Sequence, residues 1–299
     1  MGTTDASPSG LAGEPPATAH PAPPPAPPPA TPIPTPATPA PSEGAGEALS
    51  ASRMVTANHV ALVRTNSPIP ASAETLPLVT ITKTELLVGK THVADVVPGP
   101  LGFEAAIKRA QNRAALQVLP IEAALRPIHD AAPSQSTLRV LVDATTSYRT
   151  ALEVLFTAGQ SGFRSFAFVV YNPAVGERAV PASTPSRAER DAAHAPGAAP
   201  PVSFLLQADG VVISVGGERI GPGCVKGAAG TTVPLRDGKA DLAGLAACAS
   251  RIKGLAPAWA GSTVAEVTAI PGLDMQTVLA AVAAVIRDYP VVHFGLLSS

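Results

Sequence analysis

Residues 137–170, TLRVLVDATTSYRTALEVLFTAGQSGFRSFAFVV, decide the fold class of this chain. In TLRVLVD, Leu138, Val140 and Val142 alternate to one side, the period-2 pattern of a half-buried strand. Asp143 to Ser147 is a polar cluster able to cap a helix through side-chain oxygens on its free backbone N–H groups. Tyr148, Leu152, Leu155 and Phe156 then recur at helical spacing, with Arg149, Glu153, Thr157 and Gln160 on the other face. Gly159 and Gly162 permit a left-handed helix stop, and FAFVV reads as a buried strand. The stretch is a βαβ packing unit, and it carries architecture rather than evident chemistry.

Upstream, PLVTITKTELLVGKTHVADV (77–96) reads as two or three short strands with a turn at Gly89-Lys90. Residues 101–118 contain FEAAIKRAQNRAAL, rich in strong helix formers, and are expected to be helical. A second helix is expected around Ile121–His129, limited by Pro120 and Pro127. These elements and the βαβ unit define a first domain, 76–171. Residues 172–201 are polar and rich in Pro and Ala without an apolar period, and read as a flexible linker.

Residues 202–299 read as a second copy of the first domain. Val88-Gly89-Lys90-Thr91-His92-Val93 recurs as Val215-Gly216-Gly217-Glu218-Arg219-Ile220. Asp241 caps a helix in which Leu242, Leu245, Ala249 and Ile252 share a face. Ser262–Thr268 is the expected counterpart of the strand ending in Asp143. A helix carrying Met275, Val278, Leu279, Val282, Val285 and Ile286 follows, and VVHFGLL closes the copy. The same element order at a roughly constant offset indicates an internal duplication.

Before these domains, residues 1–75 read as a disordered Pro/Ala-rich arm with a weakly ordered lead-in. From Pro15 to Pro41 nearly every residue is Pro, Ala or Thr. Polyproline II at about 3.1 Å per residue would extend that segment to about 80 Å, the reach of a spacer.

The formal net charge is −1, and nothing in the charge balance suggests the basic footprint of a nucleic-acid-binding domain. The opening residues, MGTTDASPSGLAGEPP, lack the basic residue and apolar run of a signal peptide. The longest apolar run, Val278–Ile286, covers about half of the roughly 20 residues that a membrane helix needs. Cys224 and Cys248 form no CxxC motif. They are read either as two buried thiols or as one disulfide, the latter because Cys224 follows the hairpin and Cys248 lies on the helix expected to pack there.

The chemistry motifs are weak. GGERIGPGCVKG (216–227) fails the spacing of a dinucleotide or phosphate loop. His20, His59, His92, His129, His194 and His293 are scattered without metal-ligand spacing, so no metal, cofactor or catalytic set is expected. Asp143, at a strand end facing a helix start, is the one candidate for an α/β enzyme, and its capping role is preferred.

Taken together, the V-G-x-x-x-V/I hairpin, the strand ending in Asp143, the Ser147-Tyr148 turn, the Ala158-Gly159 helix end and the closing strand resemble the periplasmic domain of the ExbD/TolR family of biopolymer-transport proteins. The resemblance assigns motif positions to Gly89, Asp143, Tyr148, Gly159 and Gly216. In the second copy Thr268 is matched to Asp143, and Leu273 to Tyr148. It implies an α+β fold of two tandem domains, each a small mixed sheet with two or three helices on one face. It also implies a non-enzymatic, periplasm-facing interaction or scaffold module of a proton-motive-force-coupled envelope system. The implied partners are an ExbB/TolQ-type channel protein and peptidoglycan or a TonB-like protein. Family members carry a transmembrane helix with a proton-binding Asp, which is carried over to no position here. Because family domains pair as homodimers, two tethered copies have roughly millimolar effective concentration for each other, and an intramolecular pseudo-dimer is expected. The alternatives are a cytoplasmic adaptor without a motor link and, less favoured, a small α/β enzyme.

Overall fold

The computed structural model describes Val55 and residues 60–99, 102–105, 116–193, 195, 197–236 and 239–295. The Pro-rich arm and residues 106–115 of the expected first helix lie outside the described residues. Within that stretch, Gly102–Ala105 is a strand instead of a helix.

The first half comprises β1 (Leu78–Ile81), β2 (Glu85–Val88), β3 (Thr91–Gly99), β4 (Gly102–Ala105), α1 (Leu119–Ala131), β5 (Thr137–Val142), α2 (Tyr148–Gln160), β6 (Ser165–Asn172), β7 (Gly176–Ser183) and α3 (Arg187–Ala193). The second comprises β8 (Val202–Gln207), β9 (Gly210–Val215), β10 (Glu218–Gly221), β11 (Val225–Lys226), β12 (Val233–Arg236), β13 (Lys239–Ala240), α4 (Leu242–Ile252), β14 (Val264–Ala269), α5 (Met275–Val285) and β15 (Val291–Phe294). The protein is α+β. Pro127 sits inside α1 instead of ending it, and Pro120 occupies the first turn, where a missing N–H is harmless.

Strand order repeats between the halves. The first runs β6-β5-β1-β2-β3 and the second β15-β14-β8-β9-β10. In each, the middle strand after the first hairpin pairs parallel on both sides, β5 with β1 and β6, and β14 with β8 and β15. The hairpins β2–β3 and β9–β10 both turn on a left-handed glycine, Gly89 at φ 61° and Gly216 at φ 57°. A Cβ resists that conformation, which is why glycine recurs there.

The halves are not two separate small sheets. β7 pairs antiparallel with all of β6 and parallel with β15 through His293–Ser183, so one sheet runs through both. The described parts of both halves belong to one compact unit, Glu47–Ser299. Residues 172–201, expected as a flexible linker, therefore hold the joining strand β7 and helix α3. Val180 and Ala182 are apolar and buried in β7, but Pro181 and the charged Glu177 and Arg178 mask the period.

The lead-in also takes a defined path. Residues 60–70 lie as a strap against the sheet, with bridges from Leu62 to Asp143, Arg64 to Tyr171 and Pro70 to Arg178. Val60 packs with Leu78, Leu141 and Val169. Hence β5 is buried on both faces rather than half-buried, and even Arg139 is inaccessible, 3.4 Å from Glu177. In the second half, β8 and β14 keep a regular buried/half-buried alternation, since only their helix-covered face is closed.

Substituting Val for Gly89 or Gly216 should destabilise the fold by about 1–2 kcal/mol each, measured by urea unfolding, because a β-branched residue is forced to positive φ. Equal stability in either variant would show that its turn relaxes.

Candidate functional site

The N-termini of α2 and α5 meet at the centre of the molecule, and their bonds are reciprocal. Tyr148 N–H donates to the Leu273 carbonyl at 2.7 Å and Met275 N–H to the Thr146 carbonyl at 2.8 Å. Arg149 N–H donates to Pro271 at 3.0 Å and Gln276 N–H to Ala144 at 2.9 Å. Each donor and acceptor in one half has its counterpart 127 positions away, and Ser147 and Asp274 form the bridge between them. The first N–H groups of a helix have no partner within it. Here the first two of each helix are satisfied by the other half, and the third by its own cap. Thr150 N–H reaches Ser147 Oγ at 3.3 Å, and Thr277 N–H reaches Asp274 Oδ1 at 2.7 Å.

This register corrects two sequence equivalences. The strands 137–142 and 264–269 correspond end to end, so Asp143 matches Ile270, not Thr268, and Tyr148 matches Met275, not Leu273. Neither side chain is repeated. Tyr148 is buried, and its hydroxyl donates across the seam to the Gly295 carbonyl at 2.6 Å, with Val267 O at 3.1 Å. Burial pushes its pKa well above the ordinary phenol value, with the Gly295 hydrogen bond opposing. Its ring stands edge-on to Phe294, which also packs against Phe168 of β6.

Asp143 does not cap α2; Ser147 does. Fully buried, Asp143 accepts from Ala61 N–H at 2.9 Å through one oxygen, and from the Thr145 N–H and hydroxyl at 2.9 and 2.7 Å through the other. It fastens the strap, and it lines none of the pockets described below. Gln276 helps from the second half, exchanging two hydrogen bonds with the Arg64 backbone at 2.9 and 2.8 Å. Gly159 stays helical, while Gly162, at φ 106°, makes the left-handed turn.

Cys224 and Cys248 are joined as a disulfide, Cα atoms 5.6 Å apart, tying the loop after β10 to α4. Among the described residues no group of three or more His, Cys, Asp or Glu is placed to hold a metal ion. None of their helices is long and apolar enough to cross a membrane.

Beside the seam lies a pocket of about 620 Å³ that no sequence motif announced. Leu152, Phe156, Gly159 and Gln160 of α2 form one wall. Glu266, Thr268, His293 and Phe294 of β14 and β15 form another, and Thr184–Arg187 with Arg190 and Arg164 close the rim. Glu266 and His293 are register partners, so their side chains share a face, and Ser203 donates to Glu266 at 3.1 Å. The rim loop is braced by a capping box. Ser186 N–H donates to Glu189 at 2.7 Å, Glu189 N–H reaches the Ser186 hydroxyl at 3.1 Å, and Arg190 donates to the Pro185 carbonyl at 2.7 Å. The S-x-x-E signal of that box was present in the stretch read as linker. Two shallower depressions lie between α4 and α5 and beside the strap.

Comparison with protein-family models, curated proteins and solved structures returned no match.

Tyr148→Phe should cost about 1–3 kcal/mol of stability, because it leaves the Gly295 carbonyl without its donor; an unchanged unfolding midpoint would contradict the bond. His293 gives a pH prediction. Burial lowers its pKa below 6.5, against the opposing pull of Glu189 and Glu266. Its folded form thus resists protonation, and the stability it permits is present above the unfolded value and lost as pH falls from about 6.5 through the folded pKa. NMR titration should place the His293 midpoint below 6.5, and His293→Gln should flatten the acid loss of stability in that window. A midpoint above 6.5 would reverse the sign.

Proposed function

We propose that the chain is a non-enzymatic interaction module of the ExbD/TolR kind. In this reading two copies of the domain are fused as an intramolecular pseudo-dimer serving as a scaffold in an envelope energy-transduction complex with an ExbB/TolQ-type channel protein. The observation that carries this reading is the reciprocal bonding of the α2 and α5 N-termini. A self-complementary contact, in which residue i meets j and j meets i, is the signature of a two-fold homodimer interface. A chain that uses it internally resembles a dimer made covalent. The repeated strand order supports the same reading. Asp143, on which an enzyme reading would rest, has both carboxylate oxygens engaged, one by Ala61 of the strap and the other by Thr145. The joined cysteines agree with an oxidising compartment.

The test is fractionation of native cells with protease accessibility, followed by chemical cross-linking and sedimentation. The reading predicts envelope association with periplasmic exposure, cross-links to an ExbB/TolQ-type protein, and purified chain that sediments as a monomer at micromolar concentration. Cytoplasmic location with both cysteines reduced would replace it by the adaptor reading.

A further inference from the structure

We propose that the seam pocket is a binding site for a small organic anion, a carboxylate carried on an apolar alkyl or aryl body. The inference stands apart from the envelope reading, since it follows from the pocket walls alone.

The volume, about 620 Å³, falls within the range of small-molecule sites. The deep part is apolar. Leu152 and Phe294 are each 5% exposed, and Phe156 and Pro185 extend the same surface outward. Gly159 keeps the α2 wall open. A Cβ there would meet only the Thr184 hydroxyl, at 3.5 Å, so the absence of a side chain on this helix turn shapes the cavity and is not forced by packing.

Arginine is the commonest charged residue of the lining. Arg164, Arg187 and Arg190 stand at the rim against a single lining carboxylate, Glu266, which accepts from Ser203. Two further carboxylates lie near. Glu189 accepts from the Ser186 N–H, and its charge also reaches Arg164 and His293, while Asp191 pairs with Arg187 at 3.7 Å in an arrangement where both side chains are largely exposed. An exposed ion pair of that kind is worth little and readily exchanges for another anion. Guanidinium groups match a carboxylate through paired N–H donors. Arg190 is held against the Pro185 carbonyl and Glu189 against Ser186, so the rim loop is shaped before any ligand arrives. Thr184, Gln160 and Thr268 add hydroxyl and amide groups around the opening. A ligand seated here touches α2 of the first half and β14–β15 of the second at once.

The experiment is titration of the full chain, isotopically labelled, with hexanoate and phenylacetate, and with phenethylamine as a cation of the same shape, at matched ionic strength. The proposal predicts saturable shifts at millimolar concentration for both carboxylates, centred on the amides of Gly159, Thr184 and Gly295, and none of that pattern for phenethylamine. The double variant Arg164→Gln, Arg190→Gln, changed only at exposed positions, should weaken carboxylate binding about tenfold or more. Gly159→Leu, which fills the cavity and leaves the rim arginines unchanged, should abolish it. The proposal is overturned by equal binding of the amine, by the absence of saturation with both carboxylates, or by unchanged affinity in either variant.

Discussion

Four main-chain hydrogen bonds between the starts of α2 and α5 organise this molecule. A helix N-terminus leaves donors that its own turns cannot satisfy, and leaving such a donor unpaired when buried costs about 1–3 kcal/mol. Tyr148 and Met275 are both buried at those termini. Separated, each half would have to hydrate its own helix start and expose the residues packed around it. Together, each half supplies the carbonyls that the other lacks. The seam is thus a mutual cap as much as a hydrophobic interface.

The rest of the fold follows from protecting that contact. β7 fills the gap between the terminal strands of the two halves, and the bond from the Ser183 hydroxyl to the Val292 carbonyl at 3.2 Å secures the join. Tyr148 and Phe168 of the first half both pack their rings against Phe294 of the second. The strap closes the back of the first half, held by Asp143 at one point and by Gln276 of the second half at another. A two-fold pattern at the centre is broken at the periphery. Among the described residues, only the first half donates β7, carries the strap and contributes a tyrosine whose hydroxyl crosses the seam.

Much of this was legible from residues 137–170 and their repeat. The alternation of Leu138, Val140 and Val142, the apolar stripe of α2, the cap at Asp241 and the glycine hairpins are local signals, and local signals survive in a single sequence. What was hidden depends on partners far along the chain. Arg139 reads as the polar face of a strand, and only the strap and Glu177 make it a core residue. Asp143 reads as a helix cap, and its partner on the strap, Ala61, is 82 positions away. The second copy was matched two residues out of register because Ile270 and Met275 keep the backbone positions of Asp143 and Tyr148 but not their chemistry. The pocket was invisible for the same reason, since α2, the β7–α3 loop and β15 are joined only by the fold.

Native-state hydrogen exchange on the full chain tests the central claim most directly. If the two halves cap each other, the amides of Tyr148, Arg149, Met275 and Gln276 will be protected, and will open with one shared free energy close to that of the strands β5 and β14. Rapid exchange at these four amides, or separate opening energies for the two halves, would contradict it.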